Sequence, residues 1–228
     1  MVNIIKSMSF IGEKGSNLEK ARINCILNGT NPKQDIILGF IQLQNEDGGW
    51  DENPQLAQYD LPPWIQVGDL KTRLYLSAYT TYWLAVGGYQ TLPAFRKAIH
   101  FLLRHQDQSG RIYGYLHNTW IATGVFLMAG DRYAKVASLG IQALADSPLT
   151  KWDASQIAWA LDCLSRGGLP KNHPFIEECL DELFHRQKAD GSWASEDGEA
   201  FAVGATIQVL KVFKRYGILF GSWDGSSV

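Results

Sequence analysis

Two kinds of helical period alternate along this chain. From Pro93 to His105, Tyr133 to Ala145 and Pro174 to Arg186 the apolar residues form one stripe with polar residues opposite. From Thr72 to Val86, Leu116 to Ala129 and Asp153 to Arg166 most positions are apolar, with little polar face. The first kind predicts helices wetted on one side, the second helices buried on all sides. Ahead of these, Ser16 or Asn17 caps a helix carrying Leu18, Ala21, Cys25 and Ile26, ended by Asn28-Gly29. Asn31-Pro32 then leads into the apolar stretch IILGFIQLQ, which stops at Asn45-Glu46-Asp47-Gly48-Gly49-Trp50. A last apolar helix runs from about Glu199 to Gly217.

Glycine stops the all-apolar helices at Gly87, Gly130, Gly167 and Gly217, spacings of 43, 37 and 50 residues. A period of this size signals stacked helical hairpins. The alternation adds an inner apolar ring and an outer amphipathic ring, so the expected fold is an all-α (α/α) toroid of about nine to ten helices. A flat helical solenoid has the same period but does not require every second helix to be apolar all round. The expected organisation is an extension over residues 1–15, one toroid domain over 16–217 and a tail over 218–228. Residues 51–70, with three prolines and no sustained period, read as a long ordered loop. Loops of that length in compact domains are more often functional than idle.

Composition narrows the function classes. A net charge of −2 without a basic block argues against a nucleic-acid surface. Cys25, Cys163 and Cys179 form no CxxC pair, which fits a reducing compartment better than zinc or disulfides. No run of apolar residues is long enough to span a bilayer, and residues 1–15 lack the features of a signal peptide. The expected location is the cytoplasm, free or peripheral to a membrane. Eight tryptophans call for a use, in packing or around a ligand.

Three helix ends align: FIQLQNEDGGW (40–50), FLLRHQDQSGRIY (101–113) and LFHRQKADGSW (183–193). Each places Gln four residues before Gly, and two finish in Gly-x-Trp. This resembles the glutamine–tryptophan repeat of the squalene–hopene cyclases and related class II terpene cyclases, a superfamily that also includes the protein prenyltransferase β subunits. The resemblance covers roughly residues 33–217. KWDASQIAWALDCLSRGG and TRLYLSAYTTYWLAVGG also look like that family's inner helices. Locally, Gly48, Gly110 and Gly191 permit a sharp reversal, the Gln amide can satisfy free backbone groups at a helix end, and Trp50 and Trp193 cover the joint.

Class II cyclases begin by protonating an alkene or epoxide with the middle aspartate of a DxDD motif, which is absent here. The nearest counterpart is Asp197-Gly198-Glu199-Ala200-Phe201-Ala202, so the resemblance implies Glu199 as proton donor and Asp197 as its neighbour. A carboxyl at the mouth of a dry cavity is held neutral by desolvation and by a second carboxylate nearby. First-turn acids also favour the helix dipole without any catalytic role. Asp153 begins an inner helix and reads either as a second acid or as an N-cap. His117 and Asn118, in the first turn of another, are placed to hydrogen-bond a carboxylic acid or to serve the fold. Asp51, Asp60 and Asp69 sit in the long loop, where they gate entry, hold a polar head group or are simply solvated. Tyr75, Tyr79, Tyr82, Trp83, Trp120, Phe126, Trp159 and Phe201 lie on inner helices, where ring faces stabilise a migrating carbocation or fill the core.

The expected activity is that of a single-domain class II-like terpenoid cyclase acting on a polyprenyl or prenylated substrate in a dry aromatic cavity. The alternative is a non-catalytic isoprenoid-binding or protein-interaction toroid. The expected partner is a hydrophobic isoprenoid, with no nucleic acid, no metal and no organic cofactor. Asp162-Cys163 does not reproduce a prenyltransferase Asp-x-Cys zinc pair, and neither a DDxxD motif nor a Gly-rich phosphate loop is present.

Overall fold

The computed structural model describes residues 34–61 and 65–218; the helix expected between Ser16 and Asn28 lies outside them. The described chain is all-α, with eight α-helices and four short 3-10 turns. In order these are α1 (Gln34–Gln42), α2 (Leu70–Val86), α3 (Pro93–Arg104), α4 (Leu116–Met128), α5 (Ala134–Ala145), α6 (Ala154–Arg166), α7 (Pro174–His185) and α8 (Ala202–Arg215). The largest boundary change is at α8, where Glu199–Phe201 forms a 3-10 turn in place of the expected first helical turn. The long loop carries a 3-10 turn at Pro54–Gln58, capped by Asn53 Oδ1, which accepts from the Gln55 N–H at 3.0 Å. None of the described helices is long and apolar enough to cross a membrane.

The two helical periods sort the packing as their burial demands. α2, α4, α6 and α8 pack on one another in chain order, while α3 lies against α2, α5 against α4 and α7 against α6. α4 is enclosed: Trp120, Ile121, Ala122, Val125 and Phe126 are all inaccessible to solvent. Each large side chain of this kind contributes about 1.5–3 kcal/mol over an exposed position. α3 and α7 start with Pro93 and Pro174 in their first turn, where a missing N–H costs nothing.

The three joints repeat in atomic detail. Gln44 Nε2 donates to Gly48 O (3.0 Å) and to Ala94 O in the first turn of α3 (2.8 Å). Gln106 Nε2 donates to Gly110 O (3.0 Å) and to Val136 O in the first turn of α5 (3.1 Å). Gln187 Nε2 donates to Gly191 O at 3.0 Å, and among the described residues no further amphipathic helix follows α8 to supply the second carbonyl. The Gln amide therefore clamps its own turn and, at two joints, ties it to the next amphipathic helix; it does not simply satisfy a frayed end. The indole N–H of Trp50 donates to Phe40 O (2.8 Å) and that of Trp193 to Leu183 O (2.7 Å), the same ten-residue span. Ile112 stands at the equivalent place in the middle joint. All three residues donate their backbone N–H to a hydroxyl of the helix that follows the joint: Trp50 to Ser77, Ile112 to Thr119 and Trp193 to Thr206.

One expectation is corrected at the last helix. α8 was expected to be buried all round, yet Val203 is 73% exposed, Ile207 63% and Leu210 41%. These residues recur at i, i+4 and i+7, so they share a face that no described helix covers. Ala202, Ala205, Val209 and Val212 fill the opposite face against the core.

Candidate functional site

Three stripes line one groove. From α2 come Tyr75, Tyr79 and Trp83, from α6 Ser155, Trp159, Asp162 and Arg166, and from α8 Gly204, Gln208 and Lys211. Within each helix the members are three or four residues apart, the spacing that puts side chains on one face. The space they enclose is about 710 Å³. A second space of about 460 Å³, lined by Glu52 and His117 among others, shares Tyr75, Trp159, Glu196 and Asp197 with it. A separate recess of about 360 Å³ at the middle joint, beside Arg111, Thr119 and Lys151, holds none of the predicted site residues.

The groove wall is aromatic. Tyr75 and Tyr79 stack with centroids 5.9 Å apart, and both meet Trp159 edge-on at 6.3 and 6.0 Å. Trp83 continues the wall, edge-on to Tyr79 at 6.0 Å. Beyond them the floor is dry enough that burial pushes both the Tyr82 phenol and the Cys163 thiol well up, holding them neutral.

At the upper end the groove meets a carboxylate, and it is Glu196. Only 23% of its side chain is exposed, and the same is nearly true of His117, at 21%. His117 Nε2 approaches both Glu196 oxygens at 3.4 Å. Gln156 Nε2 donates to Glu196 Oε2 at 2.7 Å, and the Glu196 N–H donates to Ser155 Oγ at 2.9 Å. The orientation of the Gln156 amide is settled by its other end, since Oε1 accepts from the Asp153 N–H at 2.9 Å. The amide group that reaches Glu196 is therefore a donor. Burial alone would raise the Glu196 pKa, but the hydrogen bonds and charge of His117 and the Gln156 bond together hold it below the usual glutamate range. His117 is itself held by rings, 4.4 Å from Trp120 and 5.3 Å from Trp159 between centroids.

The predicted residues divide. Tyr75, Tyr79, Trp83 and Trp159 line the groove, Asp197 lines both of its parts, and Phe201 stands at the rim, 56% exposed. Trp120 does not line it: fully buried, it backs the His117 ring. Glu199 does not meet the burial expected of a neutral acid. Its side chain is 80% exposed and its carboxylate pairs with Lys188 Nζ at 3.0 Å, because the 3-10 turn after Gly198 swings it out of the groove. Asp153 takes the capping alternative: it is exposed, and it pairs with Gln156 at the start of α6. Asn118 takes the structural one, its buried amide donating to Tyr113 O at 2.9 Å. In the long loop, Asp51 is engaged by Arg73 at 2.5 Å, Asp60 is exposed and Asp69 precedes α2, so the loop acid that lines the groove is Glu52.

Glu196 was not singled out by the acid-x-acid pattern, which begins one residue after it. Its partners come from residues 117 and 155–156, and no local pattern around Ser195-Glu196 announces that meeting. Comparison of the chain with protein-family models and with curated proteins finds no match.

Proposed function

We propose that the described helices form part of an (α/α) toroid of the class II terpene cyclase kind, whose groove binds an isoprenoid and protonates it from Glu196. The observation that carries this reading is a carboxyl held by His117 and Gln156 at the mouth of an aromatic groove. Donors on Glu196 stabilise its conjugate base, which makes the protonated form the stronger acid. In the step itself, the Glu196 O–H bond breaks and its proton joins the terminal alkene carbon. The cation left on the more substituted carbon is met in turn by the faces of Tyr75, Trp159, Tyr79 and Trp83, an interaction of about 2 kcal/mol or more when desolvated. Attack by internal alkenes closes rings, and loss of a proton to a base ends the cascade.

Because the Glu196 pKa is depressed, the protonated donor is scarce at neutral pH and accumulates as the pH falls through that depressed value. Cyclisation is therefore expected to accelerate toward acid. The deciding experiment incubates the chain with linear polyprenyl alcohols and squalene and analyses the products by mass spectrometry. Glu196→Gln is expected to lower the rate by about 10²–10⁴-fold, the usual size of a general-acid contribution, while Glu199→Gln leaves it unchanged. Full activity in Glu196→Gln would remove Glu196 as the donor.

A second reading rests on the same depressed carboxyl and on the uncovered face of α8: a groove that holds an isoprenoid without turning it over. It predicts saturable binding of those substrates and no cyclic product at any pH.

A further inference from the structure

The middle joint departs from the other two at two adjacent positions. Where the first and last carry Gly49-Trp50 and Ser192-Trp193, it carries Arg111-Ile112. A cation stands in place of a small residue, and Ile112 has neither the size of an indole nor an N–H to give. The recess of about 360 Å³ opens beside these two residues, with Thr119 of α4 and Ser147, Lys151 and Trp152 from the connection between α5 and α6 in its wall. Its charge is one-sided: two cations line it and no Asp or Glu does. Arg111 Nη2 donates to Ser147 Oγ at 2.6 Å, and that hydroxyl donates to Ala143 O at 3.1 Å, so a neutral group holds the guanidinium in place. Among the described residues neither Arg111 nor Lys151 forms an ion pair. The acids close by in sequence are used elsewhere. Asp107 Oδ1 accepts from the Ser109 N–H, the Ser109 hydroxyl and the Arg111 N–H, and Asp146 Oδ1 accepts from Gln142 Nε2. The turn that carries Lys151 is fixed in its turn by Arg186, which donates to the carbonyls of Leu149 and Trp152.

We infer that this recess is a binding site for a small phosphate monoester, separate from the groove and independent of what the groove holds. The phosphoryl group sits between Arg111 and Lys151, and the organic part lies against Ile112 and Trp152, each 3% exposed. The charge count selects the ligand. A phosphate monoester carries about −1.5 to −2 charges at neutral pH, which matches two cations, whereas a carboxylate leaves one of them unmatched. The guanidinium fork meets two phosphoryl oxygens at once and the lysine adds a point charge. The N-terminus of α4, at Tyr115 and Leu116 in the same wall, contributes about half a positive charge more. Size selects too, because about 360 Å³ is at the small end of ligand sites. It accommodates one ring or sugar with its phosphate, not a polyprenyl chain.

The test titrates the full chain with phenyl phosphate, inorganic phosphate and phenol in a calorimeter. Phenyl phosphate is expected to saturate and to bind roughly tenfold or more tightly than phenol, with inorganic phosphate in between. In Arg111→Gln/Lys151→Gln its affinity is expected to fall about tenfold or more, while Lys211→Gln, in the groove, leaves it unchanged. An unchanged unfolding midpoint verifies that the double variant folds. Lys151→Gln alone, at an exposed side chain with no ion pair to lose, keeps the test open if it does not, with an expected loss of about threefold. A second arm separates a soluble ester from a lipid head group carrying the same phosphate. Sedimentation with phosphatidylcholine vesicles, with and without phosphatidic acid, gives retention that needs both the acid and the two cations if the source is a lipid, and none if the ester is soluble. Phenyl phosphate that fails to saturate, that binds no better than phenol, or that binds the double variant as tightly as the wild type overturns the site.

Discussion

Gly110→Ala is expected to destabilise the chain by about 4 kcal/mol and Gly191→Ala by about 1.5 kcal/mol, though both replace a glycine at the same place in the same joint. The two share a backbone problem. Gly110 has φ +92° and Gly191 +84°, a region where a Cβ meets its own carbonyl at a cost of about 1–2 kcal/mol. They differ in what lies beyond. A Cβ on Gly110 would fall 2.1 Å from Leu139 O and 2.8 Å from Gly140 N, which belong to the backbone of α5 and cannot swing aside as a side chain can. α5 would have to move, adding about 1–3 kcal/mol of overpacking. A Cβ on Gly191 would have only Gln187 Nε2 within 4 Å, at 3.8 Å. Urea unfolding of the two variants, with equal m-values, reads the difference directly. Equal losses would mean that backbone strain alone acts at both joints and that the approach of α5 carries no energy.

The same contrast explains why the helices were readable from the sequence and where the reading stopped. Period and burial are local properties, and they placed every described helix, with the joint residues Gln106, Gly110 and Gln187, Gly191 in register. The repeat did not say that Gly48 and Gly110 sit against backbone carbonyls of α3 and α5 while Gly191 meets none. That depends on a neighbour in space, and it goes with the uncovered stripe of Val203, Ile207 and Leu210.

The site was legible to the extent that helical stripes determine it. Tyr75, Tyr79 and Trp83 share one face of α2 by their spacing, and with Trp159 of α6 they line the groove between helices that both pack on α4. His117 was placed in reach of a carboxylate, as expected of a first-turn residue on α4. Which carboxylate it meets was not legible, because the loop from Trp193 to Ala202 has no period. There, Ser155 and Gln156 draw Glu196 inward, and the turn at Gly198 leaves Glu199 to Lys188. Hydrogen bonds from another helix, not the local acid pattern, choose the residue that faces the groove.

That loop depends on its anchor, and the second large effect follows from it. Trp193→Ala is expected to cost about 3–5 kcal/mol, the range for removing a large buried aromatic. The Trp193 side chain is 2% exposed, meets Phe213 of α8 edge-on at 5.9 Å and donates its indole N–H to Leu183 O of α7. Its removal opens a cavity between these helices and frees one end of the segment that carries Glu196. Trp193→Phe keeps most of the ring and loses the indole N–H, so it should cost less, about 1–3 kcal/mol for the carbonyl left without its donor. Beyond the shift in unfolding midpoint, Trp193→Ala should accelerate amide exchange in α8, at Val209 and Val212, more than in α4, because the loss is local to the joint. The groove should register it as well: with α8 loosened, Lys211 and Glu196, which both line it, lose their fixed separation. A Trp193→Ala variant that unfolds within about 1 kcal/mol of the wild type, with α8 exchange unchanged, would show that the joint is not what holds α8, and with it one wall of the groove, in place.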